Sequence, residues 1–246
     1  MQIPDDVENS PISLLNAMAE RDAFKSTVKH RIQMAHTLAV ALYQLHLVGW
    51  VHKSLRSENV ILFPHAPGES SQQSVNGECM VERMTKREFI VPWVVGFEYS
   101  RVVSADSDLT EDDGIKRNLY RHPERWNNPS HRFAKIHDIY ALGTILLEIS
   151  LWRPILKLSE TGFSRAIEAD NSAAGQAKKE SVKSQLLHNA EKIPYTLGRT
   201  FRDVVVACLK GSSMDGFGVE ASDDQGLQKT FYLKVVEPLD RLLTSI

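Results

Sequence analysis

Between Lys29 and Val48 the apolar residues Ile32, Ala35, Leu38, Leu42 and Leu45 recur at steps of three and four, the spacing of one helical face. Gly49 follows and predicts the stop. A second segment, Ala134 to Leu151, contains "IYALGTILLEISL" and is apolar almost all round. A helix tolerates that only when neighbours surround it, so this segment is predicted to be the buried central helix. Between the two lie "NVILF" (Asn59 to Phe63) and "FIVPWVVGF" (Phe89 to Phe97), rich in β-branched and aromatic residues. They are short enough to be strands and predict a small antiparallel ribbon, Asn59 to Phe63 against Trp93 to Phe97.

The connection between these strands, about 64–88, is rich in Ser, Gln, Gly and charge, which predicts a long surface loop. The polar stretch 159–184 reads as a second one, carrying at most part of a helix. In the tail, "FRDVVVACLKG" and "LQKTFYLKVVEPLDRLLTSI" show helical periodicity on either side of "SSMDGFGVEASDDQG". The expected fold class is therefore mostly α (α+β), one domain over residues 1–246, with little sheet and no internal repeat.

Charge and composition narrow the function classes. The 246 residues carry 29 Lys+Arg against 31 Asp+Glu, a formal net charge of -2, with no basic block, so nucleic acid is not the expected partner. The longest apolar runs fall short of a membrane span, and the acidic start "MQIPDDVENS" is unlike a secretory leader. A cytoplasmic chain with no direct membrane insertion is expected. Cys79 and Cys208 lie far apart without a CxxC, and the histidines, including His131 and His137, show no HxxxH or HExxH spacing. Neither a structural zinc nor a disulfide is expected.

At the end of the first helix the chain reads "LHLVGWVHKSLRSENVILF". This resembles the catalytic loop of protein kinases, His-Arg-Asp-Leu-Lys-x-x-Asn between a helix and a strand, in the register His52, Lys53, Ser54, Leu55, Arg56, Ser57, Glu58, Asn59. Downstream, Gly96, Phe97 and Glu98 of "VVGFEYSR" stand in the three positions of the Asp-Phe-Gly segment. "YRHPERW" resembles the Ala-Pro-Glu segment through Pro123 and Glu124, and "HDIYALGTILLEI" the central helix through Asp138 and Gly143. "GFEYSR", "YRHPER" and "EISLWRPI" are also similar to a fungal group of kinase-like proteins, often accompanied by a HeLo-type membrane-active or prion-related domain; no HeLo domain is present in this sequence.

The resemblance implies a protein-kinase-like C-terminal lobe, and it shows which chemistry has been lost. Phosphoryl transfer needs a carboxylate base, a carboxylate and an Asn on magnesium, and a Lys with a Gly-rich loop over the phosphates. Ser54 stands at the base position and Gly96 at the principal magnesium position, which leaves Asn59 as a weak nucleotide-site candidate. Glu98 lies two residues on, with a different reach and direction. Arg56 keeps a positive charge near the place of the transferred phosphate, whereas Lys53 replaces an Arg and lacks its bidentate fork. The 28 residues before Lys29 contain no Gly-x-Gly-x-x-Gly and no Val-Ala-x-Lys, so the small N-lobe is expected to be absent, "SPISLLNAMAERDAF" corresponding to the helix after the hinge.

By the same resemblance His52, Phe97, Glu124, Asp138 and Gly143 are expected to be structural. His52 and Phe97 would stack, Asp138 would accept N–H bonds from the 52–59 loop, and Glu124 would pair with a buried Arg that the sequence does not identify. The acidic stretch Ser104 to Gly114 is read as a solvated loop or a docking strip for a basic partner. The expected function is a pseudokinase, a non-catalytic interaction or regulatory module whose partner is another protein, with no catalytic residue, metal or cofactor. The alternative is a truncated or atypical kinase transferring phosphate from Mg-ATP to Ser/Thr. An enzyme of an unrelated class is the third reading, because fold alone does not set function.

Overall fold

Residues 11–20, 26–65, 88–102, 118–126, 132–158, 175–218 and 223–246 are described by the computed structural model of the chain. Expectations that concern Cys79, His131, the start 1–10 and the stretch 104–114 lie outside these residues. So do most of the 64–88 connection and the first part of 159–184.

Helix α1 (Leu14–Ala19) follows a short strand, β1 (Ile12–Ser13), and is capped where Asn16 N–H donates to Ser13 Oγ at 3.2 Å. Helix α2 (Val28–Leu47) begins at the Thr27 cap and buries Ile32, Ala35, Leu38, Leu42 and His46 along one face. Next come β2 (Trp50–Val51), β3 (Val60–His65), β4 (Glu88–Val94) and β5 (Arg101–Val102). The ribbon expected from β-branched residues is present as β3 against β4, with Val60 opposite Val94 and Ile61 opposite Trp93. Its ends differ from the sequence reading. Asn59 closes a 3-10 turn and Gly96, at φ 87°, opens another, so neither residue is in a strand. The pairing also extends further than expected: β1 joins the far side of β3, and β2 pairs with β5 in a separate two-stranded sheet. Two-residue strands carry too little periodicity to be visible in a sequence.

Helix α3 (Lys135–Leu151) runs through the centre, and 15 of its 17 residues are buried. Each fully covered Leu or Ile there contributes about 1.5–3 kcal/mol. At its start His137 Nδ1 accepts the Ala134 N–H at 3.0 Å, half of a capping box. At its end Trp152 takes a left-handed φ of 48° and stays buried with Arg31 over its ring, after which Pro154 prevents continuation. A four-residue helix, α4 (Ile155–Leu158), follows.

Helix α5 (Gly175–Ala190) occupies the second half of the stretch read as a polar loop and buries Val182, Leu186 and Ala190. Its apolar residues are too sparse among Lys, Gln and Glu to announce a helix, and packing supplies what the pattern does not. Helix α6 (Gly198–Lys210) packs on α3. A Cβ on Gly143 would lie 2.6 Å from Cys208 Cβ, so the glycine allows this close crossing. Cys208 is a buried free thiol. Helices α7 (Asp224–Phe231) and α8 (Glu237–Thr244) are joined by a π-helical segment, Tyr232–Val236. Pro238 has no N–H to give to the carbonyl one turn back, and the widened turn absorbs that loss.

The fold is thus mostly helical with small antiparallel sheets, and no helix among the described residues is long and apolar enough to cross a membrane.

Candidate functional site

The chain between β2 and β3 is held from below by Asp138 in the first turn of α3. Asp138 Oδ2 accepts the His52 N–H at 2.7 Å and Oδ1 accepts the Lys53 N–H at 2.9 Å. His46 Nε2 reaches Oδ2 at 3.3 Å from the last turn of α2. Asp138, His46 and His52 are buried and Lys53 is half-buried, so one carboxylate ties a helix end and the loop to the central helix. The same bonds hold Lys53 at a φ of 67°, a left-handed conformation that an L-residue adopts only at a cost of about 1 kcal/mol or more.

His52 is buried, and both of its ring nitrogens are engaged. Nε2–H donates to the Val95 carbonyl at 3.1 Å, while Nδ1 accepts the Ser54 N–H at 3.3 Å. Burial holds its pKa below the ordinary histidine value. With its lone pair already bonded, this ring has none to offer as a base. The Phe97 ring meets it edge-on with centroids 4.6 Å apart, yet Phe97 is 49% exposed. The expected stack is present, but Phe97 lies at its open end instead of in a closed core.

Asn59 is turned back onto its own loop. Its Nδ2 donates to the Ser54 carbonyl at 2.8 Å and to Ser54 Oγ at 3.1 Å. A Cβ on Gly96 would stand 2.5 Å from that same Nδ2 and 2.8 Å from Cγ. The Asn59 carboxamide therefore fills the space into which a side chain at position 96 would project, with Nδ2 nearest to it and Oδ1 at 3.3 Å. Ser54, Asn59 and Gly96 are brought together, as their sequence register implies, and none of the three offers a carboxylate, the anionic oxygen ligand that magnesium favours.

Over the loop lies an open cleft of about 580 Å³, to which Lys53, Ser54, Arg56, Glu98, Arg101, Tyr120, Arg121, Arg125 and Phe133 contribute. Arg56 pairs with Glu58 at 3.0 Å. Glu98 is exposed on the rim and is not turned toward Asn59 by any described contact.

Among the described residues Glu124 is paired with no Arg, the partner expected for it. It is exposed, and the groups around its carboxylate are histidines: His137 Nε2 at 3.6 Å and His122 Nδ1 at 3.7 Å. These three are the one group of possible metal donors among the described residues, their ligand atoms within 4.8 Å of one another. The lone pairs are already committed, however. His137 Nδ1 accepts the Ala134 N–H, which leaves the proton of the neutral ring on Nε2 facing Glu124, and His122 Nδ1 accepts the Glu124 N–H at 3.3 Å. The arrangement is a hydrogen-bonded cluster and a poor fit for a metal ion.

Beneath the cleft is a network the sequence reading missed. Tyr120 O–H donates to Glu148 Oε1 at 2.7 Å, Ser57 Oγ is 2.7 Å from the Tyr120 hydroxyl, and the Ile155 N–H also reaches Glu148 Oε1 at 2.7 Å. Glu148 Oε2 is buried without a hydrogen-bond partner among the described residues. The signal was a lone Glu inside "ILLEISL". Burial raises the Glu148 pKa to about 7, and desolvation lowers those of His122 and His137 to about 4.

The signs oppose. Glu148 takes up a proton on folding, so its stabilisation is complete below about pH 4.5 and is lost as pH rises through 7. The histidines instead lose stability as pH falls from about 6.5 toward 4. Glu148→Gln isolates the first effect. The difference in unfolding free energy between variant and parent should move by roughly 2–3 kcal/mol in the variant's favour from pH 5 to pH 8. A difference that stayed flat in urea titrations across that range would remove Glu148 as a buried, titrating group.

A scan against protein-family models finds no match to this chain, and a search of curated proteins finds none.

Proposed function

We propose that the chain is a catalytically inactive, protein-kinase-like large lobe that serves as a protein-interaction or regulatory module. The observation that carries this reading is the packing of Asn59 against Gly96 and Ser54. At the two places where transfer chemistry requires carboxylates there are a hydroxyl and a glycine, and the remaining amide is spent on holding the loop. The order of parts supports the family reading: an amphipathic helix, the 52–59 loop, an antiparallel strand pair, a Gly-Phe-Glu turn, Pro123–Glu124, and a buried helix whose Asp138 bonds the loop amides.

One observation favours the alternative, an atypical kinase: Glu98 lines the same cleft as Ser54 and Arg56 and is an exposed carboxylate. Thermal denaturation with Mg-ATP decides between the two readings. A ligand at a hundred times its dissociation constant stabilises by about 2.7 kcal/mol, a shift of roughly 5 °C or more for a domain of this size. Less than about one degree is expected here with millimolar Mg-ATP, with no label transferred to a basic substrate. A magnesium-dependent shift of several degrees that disappears in Asn59→Ala or Glu98→Gln would put the kinase reading first.

A further inference from the structure

We propose that Ser57, Tyr120 and Glu148 form a proton-operated clasp, which holds the 118–126 segment on the central helix and releases it when the carboxyl group ionises. The inference concerns the wall of the cleft and goes beyond the non-catalytic reading. Ser57 opens the 3-10 turn that ends the 52–59 loop, Tyr120 lies ahead of Pro123, and Glu148 stands in the last turn of α3. Ser57 Oγ is 2.7 Å from the Tyr120 hydroxyl, which donates to Glu148 Oε1 at 2.7 Å. The Ile155 N–H at the head of α4 ends on the same oxygen at 2.7 Å. One buried oxygen thus fastens three other pieces of chain to α3.

The second oxygen sets the response to protons. Glu148 Oε2 is buried and meets no donor among the described residues. In the neutral acid it is the place for the proton, since Oε1 already accepts from two donors. After ionisation it is an anionic acceptor left bare, the costly state for a buried charge.

Neighbouring charge brings no relief. Glu58, beside Ser57, is itself acidic and is paired with Arg56. The Tyr120 phenol keeps its proton, because burial and the Glu148 carboxyl raise its pKa above the ordinary value. Arg31 of α2 donates to the Ser150 carbonyl and lies over Trp152, while Arg153 and Lys157, past the end of α3, are exposed. From the helices packed on α3, Lys183 of α5 donates to the Lys210 carbonyl, and Arg202 of α6 to Glu191 and Asp203. Helix α1 carries no charged residue. In these surroundings burial moves the Glu148 pKa to about 7, which places its ionisation near neutral pH.

The tie that yields is the one to Tyr120. The 52–59 loop is pinned to α3 separately through Asp138, and Ile155 follows Glu148 within seven residues. Tyr120, Arg121 and His122 line the cleft opposite Ser54 and Arg56, so releasing this segment changes the cleft wall.

The test is hydrogen–deuterium exchange of the full chain, read by mass spectrometry and corrected for the intrinsic pH dependence of amide exchange. Amides of 118–126 should exchange through a local opening that low urea does not promote, unlike the amides of α2. That opening should become about tenfold more frequent from about pH 6 to pH 8, the ratio for a carboxyl of pKa about 7 when held and about 4.5 when released. Glu148→Gln, with a neutral amide in place of the acid, should remove the pH dependence. Tyr120→Phe, which cuts the hydrogen-bond chain and keeps the ring, should speed exchange of the segment already at the lower pH.

If melting curves show that Glu148→Gln does not fold, the parent profile and Tyr120→Phe carry the test alone. The clasp is overturned if the parent segment exchanges equally at both pH values, or if it exchanges only with α2 and with the same urea dependence. It is also overturned if Glu148→Gln keeps the parent's pH dependence, or if Tyr120→Phe leaves the segment as protected as in the parent. None of these outcomes depends on whether Mg-ATP binds.

Discussion

Leu146→Asp should yield no stably folded protein. Leu146 is fully buried in the middle of α3, within the apolar cluster that also holds Leu142, Ile145 and Ile149. That cluster is apolar and offers no cation to neutralise a carboxylate, and an unpaired buried charge costs several kcal/mol against a total stability of about 5–15. Leu146→Ala, which only opens a cavity, should cost about 2–5 kcal/mol and leave a folded protein with a lower melting temperature. The pair is compared by soluble yield and thermal denaturation. An Asp variant that purified with the parent's melting temperature would mean that α3 is not the centre of the core.

Asp138→Ala carries the second largest expected effect. The His52 and Lys53 amides and His46 Nε2 would lose their shared acceptor in a buried place, at about 1–3 kcal/mol for each unsatisfied donor. Lys53 would also lose the bond that helps hold its left-handed backbone. A loss of several kcal/mol is expected in urea denaturation, with Asp138→Asn intermediate because its amide oxygen can still serve one side of the loop. Stability equal to the parent in the Ala variant would show that the carboxylate is not the anchor. The loss is expected whatever the chain's activity, because these bonds hold the loop that forms the floor of the cleft.

Together these predictions separate two uses of polar groups in one region. Asp138, Asn59 and His52 have their hydrogen-bonding capacity turned inward, where it sets the shape of the loop. Lys53, Arg121 and Arg125 line the opening above it. The loop's shape is thus set by groups other than those that line the opening.

Much of this was legible in the sequence, because the features concerned are local. Apolar steps of three and four specified α2, and an unbroken apolar run marked α3 as central, since the hydrophobic period is a property of consecutive residues. The order His52, Ser54, Asn59 and Gly96 is likewise legible as a local motif, and positions 54 and 96 carry no carboxylate. The direction in which Asn59 turns, the edge-on contact of a half-exposed Phe97 with His52, and the choice of histidines as neighbours of Glu124 were decided only in the tertiary structure. So were helix α5, the two-residue strands, and the convergence of Lys53 and Arg125 on Phe133, residues separated by up to 80 positions in the chain. Such contacts depend on which surfaces packing brings together, and neither periodicity nor motif spacing carries that information. Sequence by itself determined the helical core and which residue types stand at positions 54, 59 and 96; the shape of the cleft arose from long-range packing, because side chains become a site only when distant residues share one concave surface.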